Sequence, residues 1–198
     1  MKNSCGYRTL ELFFLCLAFV ACSRLVISPT EEKILWNGES ENNGAGWVSP
    51  APPDLSIETQ GVIVHSGNQA VHFHVMPGHY WVEWGWRWFP FWPPAPGTDL
   101  RPYRTLSFAI KTSTPFVPGD IKIRLDSAPG LLKSKAISIK AYDPQFCDGQ
   151  WHVVIIPLKD FNMDGMKYDP ARADELFFGT SAQKSEFDFY LDDIAVQR

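Results

Sequence analysis

Apolar and polar residues alternate with a period of two along most of this chain. In "VHFHV", Val71, Phe73 and Val75 fall on one side and His72 and His74 on the other. "DIKIRLDS" sets Ile121, Ile123 and Leu125 against Lys122, Arg124 and Asp126. Alternation of this kind puts successive side chains on opposite faces of a half-buried strand. Strands are predicted over "KILW" (33–36), both arms of "GVIVHSGNQAVHFHV" (61–75), residues 80–88, "RTLSFAIKTS" (104–113) and "DIKIRLDS" (120–127). "KAISIKAY" (135–142), "QWHVVIIPL" (150–158) and "EFDFYLDDIAV" (186–196) complete the set. "DPARADEL" (169–176) is a candidate short helical connection, and "NGESENNGAG" (37–46) is a polar loop. Proline-rich patches at 50–53 and 90–96 fall between the runs, where a missing N–H does no harm. The pattern predicts an all-β sandwich of two antiparallel sheets.

The N-terminus breaks this pattern. Lys2 and Arg8 precede "LFFLCLAFVAC" (Leu12–Cys22), an apolar run too short to span a bilayer as a helix. It reads as a secretory h-region, and Val20-Ala21-Cys22 resembles a bacterial lipobox, whose cysteine is lipidated. A plain signal peptide cut nearby is the alternative. Residues 1–21 are then a lipoprotein-type signal peptide, 22–33 a tether and 34–198 one domain, tethered through Cys22 to a bacterial outer membrane or cell surface. About 177 residues remain, enough for a single core. Cys5 and Cys16 leave with the signal and Cys22 takes the lipid, so Cys147 stands alone and no disulfide framework is expected. A net charge of -4 without a basic block argues against a nucleic-acid partner.

"HYWVEWGWRWFPFWPP" (79–94) holds five of the eight tryptophans. A strand over 80–88 separates Tyr80, Val82, Trp84, Trp86 and Trp88 from Trp81, Glu83, Gly85, Arg87 and Phe89. The second set carries Glu83 and Arg87, so its face is wet. Trp84 and Trp86 are assigned to the core. Trp81, on the charged face, joins Trp92 in its proline-flanked loop, with Trp88 and Phe91 near the rim, as a platform. Trp151 is placed in the core. Glu83, Arg87, His74, Arg124 and Asp126 lie on polar strand faces as partners for hydroxyl groups. Flat aromatic plates beside a few convergent polar groups suit a pyranose, which has an apolar C–H face and a hydroxylated rim.

"HSGNQAVHFHV", "TDLRPYRTLSFAIKT", "DGQWHVVIIPLKDF", "ADELFFG" and "FDFYLDDIAV" occur in an order resembling the galactose-binding-like jelly roll of carbohydrate-binding modules, of the family 11 and family 30 kind. The resemblance covers residues 34 to 197. It implies a jelly-roll fold and non-catalytic binding of a polysaccharide or oligosaccharide. It also implies a structural calcium between the loop after the first strand and the last strand's Asp pair. Asn37, Glu39 and Asp192 are the ligands of that expectation, and Ca²⁺ takes six to eight such oxygens.

Other readings stay open. Related jelly rolls bind proteins, and an exposed aromatic patch also marks a protein interface or assembly surface. A glycoside hydrolase or lyase is a third reading. "EFDFYLD" imitates the paired carboxylates of retaining glucanases through Glu186, Asp188 and Asp192, but with a shorter final carboxylate and at the extreme C-terminus. His72 and His74 share a face, and a transition-metal site there needs a third ligand, for which His65 and His79 are candidates.

Overall fold

Period-two alternation produces two stacked antiparallel sheets. The computed structural model describes residues 31–39, 44–49, 55–58, 63–78, 80–89, 96–112, 121–128, 132–161, 168–181 and 186–198. The strands are β1 (Glu32–Trp36), β2 (Ala45–Ser49), β3 (Leu55–Glu58), β4 (Val71–Val75), β5 (Trp81–Arg87) and β6 (Thr105–Thr112). They continue with β7 (Lys122–Ser127), β8 (Leu132–Lys133), β9 (Ile137–Ser138), β10 (His152–Pro157), β11 (Ala173–Ser181) and β12 (Phe187–Gln197). The first sheet runs β10-β6-β12-β4-β3, with β1 also paired to β12. The second runs β2-β5-β11-β7-β8, with β9 also on β7. The result is the expected all-β jelly-roll sandwich.

The inward faces are the alternating apolar sets. Val71, Phe73 and Val75 from β4, Leu106, Phe108 and Ile110 from β6, and Phe187, Phe189 and Leu191 from β12 line the first sheet. Val82, Trp84 and Trp86, with Ile123, Leu125, Leu176 and Phe178, line the second. Trp84 stacks on its register partner Phe178 at 5.9 Å and meets Phe189, from the opposite sheet, at 5.2 Å. Trp36 of β1 meets Trp86 of β5 edge-on at 5.0 Å, a second bond between layers.

In β12 the alternation changes parity at "LDDI", where Leu191 and Ile194 are both buried. One extra residue is absorbed there as a β-bulge, with the register slipping between Asp192 and Ala195. Asp193 takes φ 48°, a left-handed conformation that Asp tolerates better than most side chains.

Four expectations need correction. The partner of β4 is β3 at 55–58, so the arm expected at 61–65 is not a strand where it is described. "AGWVS", the last residues of the expected loop and those after it, forms β2. "KAISIKAY" yields only the two residues of β9 before a 3-10 turn, Ile139–Ala141. "DPARADEL" gives one 3-10 turn, Pro170–Arg172, and then feeds β11.

Candidate functional site

The outward face of the second sheet is organised in transverse rows. Register sets Trp47, Gly85, Phe177 and Arg124 side by side across β2, β5, β11 and β7. The row on one side is Ala45, Arg87, Glu175 and Asp126, and that on the other is Ser49, Glu83, Gly179 and Lys122. Trp81 lies beyond, opposite Ser181.

Two glycines make room for the indoles. A Cβ on Gly85 would fall 2.5 Å from Trp47 Nε1, and one on Gly179 would fall 2.6 Å from Trp81 Cζ2. Any other residue at either place would collide with the ring, so each indole rests on bare backbone. Hydrogen bonds hold the plates: Trp47 Nε1 donates to Glu175 Oε1, and Trp81 Nε1 donates to Glu83 Oε1 at 2.7 Å. Trp47 packs on Phe177 at 5.8 Å, and the Arg124 guanidinium covers the same ring at 3.3 Å from its centroid. Phe177 is thereby buried, while Trp81 remains 40% exposed.

Beneath the plates lies a buried charge network. Arg87 pairs with Asp174, and Arg124 Nε donates to Asp126 Oδ1 at 2.7 Å. Asp126, Asp174 and Glu175 are all inaccessible to solvent or nearly so. Burial pushes all three carboxyls up, against the pull of Arg124 on Asp126, of Arg87 on Asp174 and of the Trp47 N–H on Glu175. Glu175 reaches about 7. It therefore holds its proton in the fold at a pH where the unfolded chain has lost it. Stability contributed this way is full below about pH 4.5 and is lost as pH rises through 7. At about 1.4 kcal/mol per pH unit of separation, the loss is on the order of 3 kcal/mol. Denaturation midpoints from pH 5 to 8 are expected to fall, and Glu175→Gln to flatten part of that slope. An equal slope in the variant would remove Glu175 as its source.

Comparison with known proteins fixes what kind of domain carries this face. The profile of carbohydrate binding domain 30 matches residues 27–198, nearly the whole chain. The chain belongs to that family. It is a non-catalytic carbohydrate-binding domain. Among solved structures it is similar to the family 30 module of the cellulosomal cellulase Cel9D-Cel44B of Clostridium thermocellum, at 18% identity and TM-score 0.64, over 83% of this chain and 96% of that one. The Clostridium thermocellum family 11 module, in complex with a β-1,3-1,4-mixed-linked tetrasaccharide, shares 16% identity at TM-score 0.55, over 83% of this chain and 94% of that one. A β-1,2-glucanase from Parabacteroides distasonis matches over 24% of its own length and 83% of this chain, at 19% identity and TM-score 0.56. No curated protein matches.

The outward face of the second sheet gathers Trp81, Glu83, Arg87, Arg124 and Asp126 from the residues expected in the site. Trp88 is not among them. It is buried, continues the inward parity of Trp84 and Trp86, and donates Nε1 to Thr98 Oγ1 at 3.2 Å inside the domain. His74 lies apart from these five, because β4 belongs to the first sheet, whose outward face looks the other way. Phe91, Trp92 and Cys22 lie outside the described residues. Trp151, expected in the core, is only half-buried and packs against His65 and Tyr190. Trp47 was missed because "AGWVS" follows a Gly/Asn loop and is too short to show a period. The remaining signal was a lone tryptophan between glycines and prolines.

Asn37, Glu39 and Asp192 each accept hydrogen bonds within the fold. Asp192 Oδ2 accepts from the backbone N–H groups of His65 and Ser66, and its Oδ1 from that of Asp193. Glu39 braces the same turn, Oε1 accepting from the N–H of Asn68 and Oε2 from its side-chain amide. Asn37 Oδ1 accepts from the N–H of Glu39 at 3.1 Å. A calcium cage would need six to eight oxygens turned on the ion, whereas these oxygens of Asn37, Glu39 and Asp192 are turned to N–H donors. We propose that the three residues pin loops to the bulge of β12. Melting curves in excess calcium and in chelator are expected to coincide, and a chelator-sensitive Tm would reinstate the ion.

Proposed function

We propose that the outward face of the second sheet binds a β-linked glucan chain, stacked on Trp47 and Trp81 and hydrogen-bonded by the charged groups beside them. One observation carries this: both indoles extend over glycines, Gly85 and Gly179, on one outward face. An indole offers a broad π surface, on which pyranose C–H faces stack. Spacing within a sheet sets the two floors about 8 Å apart, so each plate takes its own sugar ring. Glu83, next to Trp81, and Lys122, further along the same row, supply a carboxylate and an ammonium for ring hydroxyls. The glucan class is supported by the mixed-linked tetrasaccharide of the family 11 complex and by the β-1,2-glucanase in the comparison.

Affinity electrophoresis against β-glucans, xylan, mannan and galactan tests the class. Retardation by one or more β-glucans alone is expected. Retardation by none of the polysaccharides would turn the face toward a protein partner.

A further inference from the structure

The first sheet's outward face carries an unrelated constellation. His72 and His74 sit two residues apart on β4, and Asp188 of β12 is the register partner of His74. His72 Nε2 and His74 Nδ1 each lie 2.8 Å from the same oxygen, Asp188 Oδ1. One potential ligand atom from each residue thus falls within 4.8 Å of the others. Among the described residues this is the one group of three or more His, Cys, Asp or Glu so arranged. His65, a sequence candidate for third ligand, is instead engaged by Asp193 at 2.6 Å. His79 lies outside the described residues.

We propose that His72, His74 and Asp188 bind a divalent first-row transition ion. Two imidazoles and one carboxylate are the borderline nitrogen and oxygen donors that such ions prefer, whereas calcium and magnesium take oxygen alone. The spacing suits them. Ligands about 2.05 Å from a metal and at right angles to each other stand about 2.9 Å apart, close to the 2.8 Å seen here. For one set of such donors the affinity order runs Ni²⁺ below Cu²⁺ and Cu²⁺ above Zn²⁺, so copper is the ion held most tightly.

The rings are also held in place beforehand. His72 stacks on Tyr190, its register partner, at 4.6 Å and 11°. His74 places its other nitrogen 3.3 Å from Met76 Sδ, a weak acceptor that leaves Nδ1 directed at Asp188. All three side chains are partly exposed, at 16% for His72, 33% for His74 and 27% for Asp188, so an ion has a path from solvent. The neighbouring cation Lys111 donates to the Gly149 carbonyl at 2.7 Å. The site needs no rearrangement of the glucan platform, which is on the other sheet, and it rests on no reading of that face.

The test is calorimetric titration of the untagged full chain with Cu²⁺, Ni²⁺ and Zn²⁺ at neutral pH, alongside the double variant His72→Gln/His74→Gln. One saturable site is expected, with copper bound most tightly, and at least roughly a hundredfold loss of affinity in the variant. Both residues are partly exposed, so the variant should fold. Should it not, the copper EPR spectrum of the parent decides, with hyperfine splitting from two imidazole nitrogens expected. Parent-like affinity in the double variant, no saturable binding by the parent, or a copper spectrum lacking two nitrogens would each overturn the proposal.

Discussion

Trp84→Ala is expected to destabilise the domain by about 3–5 kcal/mol, the range for truncating a buried aromatic residue. Trp84 is fully buried and touches Phe73, Phe187 and Phe189 of the opposite sheet as well as Phe178 beside it. Removing it would leave a cavity facing four rings, and sheets in register cannot collapse into it without shifting their pairing. Its Nε1 is buried without a hydrogen-bond partner among the described residues. Trp84→Phe is therefore expected to recover most of the loss, because the smaller ring keeps aromatic contact and removes the unsatisfied donor. Urea denaturation of parent, Ala and Phe variants measures both effects. A parent-like midpoint for the alanine variant would show that Trp84 does not tie the sheets together.

The division of the tryptophan run was legible as far as parity reaches. Strict alternation over 80–88 places Trp84 and Trp86 inward and Trp81 outward with Glu83 and Arg87, and the strand obeys it. Trp88, expected near the rim, instead obeys parity, since the inward phase persists past the end of β5. His74 shows a different gap. Alternation says that a residue faces outward but not from which sheet, and only the pairing of β4 with β12 settles that. The same pairing brings Asp188 to the two histidines, a contact between residues more than a hundred positions apart. "LDDI" was legible as something special, but its letters equally suit an ion cage and a β-bulge. The N–H groups of His65 and Ser66, which meet Asp192 from a distant turn, are partners that no local pattern reveals. Glycines 85 and 179 were unread for a related reason: a glycine in a strand marks a close approach without naming what approaches.

Trp81→Ala is expected to weaken polysaccharide binding by at least about thirtyfold, or about 2 kcal/mol, as aromatic anchors commonly do. Its stability should change little, since the ring is 40% exposed and its N–H reaches the partly exposed Glu83. Trp47→Ala should weaken binding comparably but also cost stability, because Glu175 is left buried without its indole donor. The stricter test leaves both tryptophans in place. Gly179→Val sets a Cβ where Trp81 Cζ2 is only 2.6 Å away, so the ring must lift from the sheet. If a flat plate is what the sugar needs, this variant should lose most of the affinity with every aromatic atom retained. His74→Gln, on the opposite sheet, should bind glucan like the parent. Near-parent binding by Trp81→Ala and Gly179→Val, with loss in His74→Gln, would move the glucan site to the other face.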